Sequence, residues 1–360
     1  MNGRTRIAAL AGVAFAALTV PAAAQAATRA VTMGPPKAAV AVLNKTYGAD
    51  VNDFFPHKTT IHVGDSIRFV PVGFHTVDIP KKGGEPLPFA TPGAPVSGAV
   101  DALGVPFWFN GQPSLGFNPA LAPPNLKFGR SLSYGGNTRV TSGLPVVQRP
   151  KPMTVFFRKT GTYDYYCNIH PGMEGTVKVV GTKATIPTRQ QHLAAVRKQI
   201  TRDTNTAKTL ATATPPAGTV YVGNSGSGGV EYFGMVPATT TVPTGTTLKF
   251  MMSPKSFEDH TASFGPGDPE NDPASYLGQI AAGFNAPQFD PRAVYPSEAP
   301  GTIGTLTPAL HGNGFWNTGV MDAASATPLP DSGTVTFGAP GTYTFYCLIH
   351  TFMKGTVVVQ

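Results

Sequence analysis

One stretch of this 360-residue chain occurs twice, 180 positions apart. The first copy reads Gly161-Thr162-Tyr163-Asp164-Tyr165-Tyr166-Cys167-Asn168-Ile169-His170 and continues through Met173 and Gly175 to Thr176-Val177. The second reads Gly341-Thr342-Tyr343-Thr344-Phe345-Tyr346-Cys347-Leu348-Ile349-His350 and continues through Met353 and Gly355 to Thr356-Val357. Each copy keeps Cys, His and Met in the pattern C-x2-H-x2-M, and the chain's 2 cysteines both fall here. A chain built this way must form the same local structure twice.

The repetition reaches upstream. Thr59-Thr60-Ile61-His62-Val63-Gly64-Asp65-Ser66-Ile67-Arg68-Phe69 is matched by Thr240-Thr241-Val242-Pro243-Thr244-Gly245-Thr246-Thr247-Leu248-Lys249-Phe250. Both read as strand, tight turn at glycine, strand. Each is followed by an isolated histidine, in His75-Thr76-Val77 and His260-Thr261-Ala262. The signatures themselves lie on closing hairpins, entered by Thr154–Phe157 and Thr334–Phe337 and left by Thr176–Val180 and Thr356–Val359. Between each isolated histidine and its cysteine runs a long Pro/Gly-rich insert, roughly 80–150 and 264–330, with an aromatic patch at Phe107-Trp108-Phe109 or Phe315-Trp316. Loops of such length are usually functional or mobile.

Bulk properties agree with many short strands. The chain holds 41 Gly and 36 Pro with only 13% charged residues, which favours turns over long helices. One helix is expected between the repeats. Thr188-Arg189-Gln190-Gln191 reads as a capping box, and Leu193, Val196, Ile200, Ala207 and Leu210 follow at helical intervals. This predicts a helical linker over 184–216 that rests on one domain, with domains at 27–183 and 217–360. Residues 1–26 read as a secretory signal: Arg4 and Arg6, then an apolar run from Ile7 to Val20 too short to span a bilayer, then Ala24-Gln25-Ala26. The expected product is exported, periplasmic or extracellular, with no stable membrane insertion.

Charge is divided unevenly. Residues 27–183 hold 16 Lys/Arg against 8 Asp/Glu, whereas 217–360 hold 4 against 10. The asymmetry suits a charged partner, or docking of one half on the other. Nucleic acid is excluded as a partner by the export signal and the lack of a basic–aromatic motif.

A thiolate, an imidazole and a thioether on one short loop form most of a blue-copper ligand set, which takes two imidazoles, one thiolate and a weak axial thioether. The isolated histidines complete two sets: His75, Cys167, His170 and Met173, then His260, Cys347, His350 and Met353. Two cysteines in an exported protein would ordinarily suggest a disulfide. Here a bridge would require equivalent points of two repeats to touch, so the cysteines are read as ligands. His57, His62 and His192 read as structural. His311 alone sits where it could line the second insert near a metal.

Both halves resemble cupredoxins of the plastocyanin, pseudoazurin and amicyanin kind. The likeness is carried by the Gly64-Asp65 turn, His75-Thr76-Val77 and Gly161 to Val180, and again by Gly245, His260-Thr261 and Gly341 to Val359. It covers about half of each domain, and the short Cys–Met loop is most similar to amicyanin. The resemblance implies an all-β chain of two Greek-key β-sandwich domains. It also implies one type 1 copper per domain, electron transfer without turnover, and exposed His170 and His350 edges as electron exits to redox protein partners. There are departures. Thr76 and Thr261 stand where relatives often carry an Asn that ties the ligand loops together, and His350 is followed by Thr351-Phe352 where His170 is followed by Pro171.

Two other functions compete. A small copper oxidoreductase of the multicopper oxidase or nitrite reductase kind would need a further copper cluster. The chain has no H-x-H motif, and Tyr166 and Tyr346, not histidines, precede the cysteines. A copper carrier would favour Met- or His-rich tracts, which are absent. The carrier of electrons is therefore the expected function, and catalysis is not.

Overall fold

The computed structural model describes residues 26–323 and 329–360. All of the signal-peptide reading except Ala26 lies outside them. The described chain is mostly β. In the N-terminal half, one five-stranded sheet runs Phe54–Phe55, Thr28–Met33, Ser66–Pro71, Met153–Phe157, Ser131–Tyr134. A second runs Val140–Thr141, Asp78–Ile79, Gly161–Tyr166, Glu174–Val180, Lys58–His62. Their inner faces share one core. Strict alternation puts Met153, Val155 and Phe157 of one sheet and Val177 and Val179 of the other inside it.

The C-terminal half repeats this plan with a six-stranded sheet and a five-stranded one, around Phe250, Phe264, Phe337 and Phe345. The strands expected on either side of each signature are present: Met153–Phe157, Gly161–Tyr166 and Glu174–Val180, matched by Ser332–Phe337, Gly341–Tyr346 and Lys354–Val359.

The halves are not independent. Strand Ala49–Val51, from the N-terminal part of the chain, pairs antiparallel with Val230–Val236 and completes the edge of the six-stranded sheet. It is preceded by a helix, Lys37–Tyr47, that the sequence reading did not anticipate. The two inserts also meet. Val96, Phe107 and Phe109 of the first pack with Leu277, Ile280 and Phe315 of the second, and with Tyr346 and Leu348 beside Cys347. The inserts are thus one shared core.

The linker helix spans Arg189–Ala207 and begins with the expected capping box. Its resting place corrects the expectation that it lies on one domain. Gln199 Nε2 donates to Asp53 Oδ2 at 2.8 Å and to Phe54 O at 3.0 Å in the first half. Beyond its C-terminus, Leu210 O accepts from Asn224 Nδ2 of the second half at 2.8 Å. The reason is that its apolar face is shared: Ala207 is buried in one cluster with Leu43, Val51 and Phe55 of the first half and Val230 of the second, and Val196 and Ile200 pack against it.

Candidate metal centres

The hairpin between Gly161–Tyr166 and Glu174–Val180 leaves a loop whose backbone turns back on itself. Cys167 N donates to Met173 O at 2.9 Å, and Met173 N donates to His170 O at 3.0 Å. The second loop repeats both bonds, Cys347 to Met353 at 3.0 Å and Met353 to His350 at 2.8 Å. Each loop thereby holds its cysteine, histidine and methionine in one turn, and Met173 and Met353 are both buried in the same core as their cysteine.

The distant histidines arrive as the repeat implies. His75 lies just before strand Asp78–Ile79, and His260 ends strand Asp259–His260. His75, Cys167 and His170 bring one ligand atom each to within 4.8 Å of one another, and so do His260, Cys347 and His350. The same nitrogen is presented every time. His75 Nδ1 lies 3.0 Å from His170 Nδ1, which is 3.5 Å from Cys167 Sγ. His260 Nδ1 lies 3.1 Å from His350 Nδ1, with Cys347 Sγ at 3.7 and 3.9 Å from the two nitrogens. Both cysteines are free and buried.

Electrostatics favours the thiolate in both. Burial pushes the Cys167 thiol up, but the His170 and His75 imidazoles outweigh it and hold the thiol well below its ordinary value. At Cys347 burial is likewise overcome, by His260 and His350. A thiolate is the form that ligates soft metal. Two imidazole nitrogens and one thiolate converging among largely buried side chains, with a thioether on the same loop, are a donor set that fits copper.

Thr76 and Thr261 make the link that the absent Asn left in question. Thr76 N–H points at Cys167 Sγ at 3.5 Å, and Thr261 N–H at Cys347 Sγ at 3.4 Å. Thr76 Oγ1 accepts from Asn168 N at 2.7 Å, and Thr261 Oγ1 accepts from Leu348 N at 2.8 Å. The hydroxyls tie the histidine segment to the cysteine loop in both halves.

The expectation of exposed histidine edges is overturned at His170, which is buried, and holds only in part at His350, whose side chain is 20% exposed. His170 and His350 turn their outer nitrogens inward, toward one carboxylate. Glu258 Oε1 lies 3.3 Å from His170 Nε2, and Glu258 Oε2 lies 3.6 Å from His350 Nε2. The halves dock through these edges, so the outer nitrogen that would meet solvent in a lone domain meets Glu258. Asn52 Nδ2 also donates to Glu258 Oε1, at 2.7 Å. Burial pushes the Glu258 carboxyl up, but His170, His350 and His260 reverse that and hold it below the usual carboxylate range. Its buried neighbours go the other way. Glu231 is raised well above its ordinary value by burial and by Glu258, and Asp259 is pushed up to about 8 by burial, Asp322 and Glu258.

Glu258 escaped the sequence reading. A signal was present: it stands two residues before His260, where the first repeat has Gly73 two residues before His75. The other histidines are elsewhere. His57 pairs with Asp53 at 3.0 Å, and His62 and His192 reach backbone carbonyls of Ala184 and Ala30. His311 is bracketed by Asp101 at 3.2 Å and Glu298 at 2.8 Å in the joint between the inserts. It is not part of the second ligand cluster, because its two ring nitrogens are spent on those carboxylates.

No family model and no curated protein matches the sequence. Among solved structures, the chain is similar to oxidized plastocyanin from Dryopteris crassirhizoma, at 22% identity over 39% of this chain and 99% of that one, with a TM-score of 0.20. It is also similar to the Cu(I) form of a point mutant of amicyanin, at 15% identity, 42% and 90% coverage, and a TM-score of 0.22. A purple cupredoxin from Nitrosopumilus maritimus matches at 14% identity, 39% and 98% coverage, and a TM-score of 0.20. Likenesses this weak carry no weight for function. Among the described residues no helix is long and apolar enough to cross a membrane.

Proposed function

We propose that the chain is an exported electron-transfer protein with two type 1 copper centres, one in each of two cupredoxin-like domains spanning 27–183 and 217–360. One observation carries this reading. Two buried clusters present the same three donor atoms, two imidazole Nδ1 and one thiolate, from equivalent positions of an internal repeat. Packing alone gives no reason for both halves to gather a titratable trio in a dry core, where unpaired polar groups are costly.

His75, Cys167 and His170 would hold the first ion and His260, Cys347 and His350 the second, with Met173 and Met353 supplying a thioether to each. Copper supplies one-electron chemistry, cycling between Cu(I) and Cu(II). The chain's part is to fix the donors. Each loop histidine is held by its own turn, each thiolate receives a backbone N–H from a threonine, and the packing of the halves buries the first cluster and most of the second. Such constraint suits an electron carrier, in which ligands should move little when the charge changes. Partners would be redox proteins, and residues 1–26 would direct export.

A redox titration followed by visible absorption tests the assignment. The copper-loaded protein should bleach and recover reversibly under mild reductant and oxidant, with no consumption of oxygen or nitrite. Sustained turnover of either by the purified protein would contradict the carrier reading.

A further inference from the structure

We propose that Glu258 is a positioning residue for both centres at once, a single carboxylate that orients the loop histidine of each. The inference rests on the copper reading above. A ligand histidine is normally fixed by a partner on the nitrogen that does not bind metal, and each ligand usually has its own partner. Here one side chain serves two. Its Oε1 faces His170 Nε2 at 3.3 Å, and its Oε2 faces His350 Nε2 at 3.6 Å. Its negative charge beside each Nε2, within hydrogen-bond reach at His170 and just beyond it at His350, favours a proton on that nitrogen and so leaves both Nδ1 lone pairs aimed into their clusters. Those are the atoms found 3.0 Å from His75 Nδ1 and 3.1 Å from His260 Nδ1.

Glu258 is itself buried and held in place from the first half, where Asn52 Nδ2 donates to Oε1 at 2.7 Å. Asn52 is fixed in turn, its backbone N donating to Gly229 O at 2.7 Å. The carboxylate comes from the second half alone, since the first repeat has Gly73 at the matching place. The device therefore exists only where the halves meet. It also places one negative charge beside both metals, so a change there must be felt at each.

The test uses the full chain with Glu258→Gln, alone and combined with Cys167→Ala or Cys347→Ala so that each centre is read separately. A glutamine keeps the shape but has only one accepting oxygen. Copper affinity, measured by chelator competition, should fall about 10–100-fold at each centre, and both reduction potentials should rise, because the charge that favours Cu(II) is gone. A centre whose affinity and potential are unchanged would overturn the shared role. A second measurement needs no substitution. Nitrogen-15 NMR of the Cu(I)-loaded, unmutated protein should show His170 and His350 both protonated at Nε2, with slowly exchanging protons. A freely exchanging proton at either would overturn the proposal even if the variant failed to fold. Failure of the unmutated protein to show a thiolate–copper absorption band would instead overturn the copper reading on which this rests.

Discussion

The two centres share their donors and differ in what covers them. The first loop continues from His170 into Pro171-Gly172, the second from His350 into Thr351-Phe352. Gly172 has φ of +100°, and a Cβ there would lie 2.5 Å from the Phe257 ring of the other half. The glycine is what lets Phe257 seat against the first loop. Phe352, at the equivalent place, is 58% exposed and leans on Phe233 and His350, with ring centroids 6.0 and 6.2 Å away. The His170 side chain is 8% exposed and that of His350 20%. Duplication kept the chemistry, and divergence of two residues after each histidine set its access. The first centre is buried by the second half, while the second keeps an aromatic edge toward the surface.

The strongest way to break this comparison is to delete one thiolate. Cys167→Ala should abolish copper absorption at the first centre and leave the second, and Cys347→Ala the reverse, as read by copper content and visible spectrum. Loss of both from either substitution would show one composite site instead. Next in size is Gly172→Ala, which meets both a left-handed backbone and the Phe257 ring. It should cost about 1–3 kcal/mol in denaturant unfolding and perturb the first centre's spectrum before the second's. An equal effect at both would mean Phe257 covers them alike.

Thr76→Val and Thr261→Val sharpen the comparison further. Each loses a hydroxyl that accepts a loop N–H, at a cost of about 1–3 kcal/mol for the buried donor left behind. The hydroxyls differ in their second partner: Thr76 Oγ1 donates to Asn168 Oδ1 at 2.9 Å and so ties the cysteine loop a second time, while Thr261 Oγ1 pairs with Ser263 Oγ at 3.0 Å, away from the loop. Thr76→Val should therefore loosen its loop more than Thr261→Val does, seen as a larger shift in potential at the first centre in voltammetry on the single-site proteins. The smallest effect on stability is expected for Phe352→Ala, within about 0.5 kcal/mol because the ring is on the surface. Its signature is kinetic: an external one-electron reductant should reach the second centre at a changed rate and the first at an unchanged one, in stopped-flow absorption.

Much of this was legible in the chain. The duplicated C-x2-H-x2-M loops, the glycine turns after Thr59-Thr60-Ile61 and Thr240-Thr241-Val242, and the pairing of His75 and His260 with their cysteines all follow from local pattern, because strand alternation and ligand spacing are local. What could not be read belongs to the docking of the halves. Ala49–Val51 is too short to announce that it pairs with Val230–Val236. Phe107 and Phe315 marked apolar patches without saying that they share a core. The same docking buries the edge of His170 and covers most of that of His350. The clue lay in a mismatch between the repeats, an acid pair at Glu258-Asp259 where the first copy has Gly73-Phe74. Where one copy of a duplicated site gains buried charge, the partner of that charge is best sought in the other copy.

The central claim is that the fold holds two equivalent copper sites, and copper loading of the purified full-length protein addresses it most directly. Metal analysis joined to visible and EPR spectra should give two coppers per chain, both with an intense thiolate-to-copper band and neither with the EPR signature of copper lacking a thiolate. One copper per chain, or two bound without that band, would contradict it.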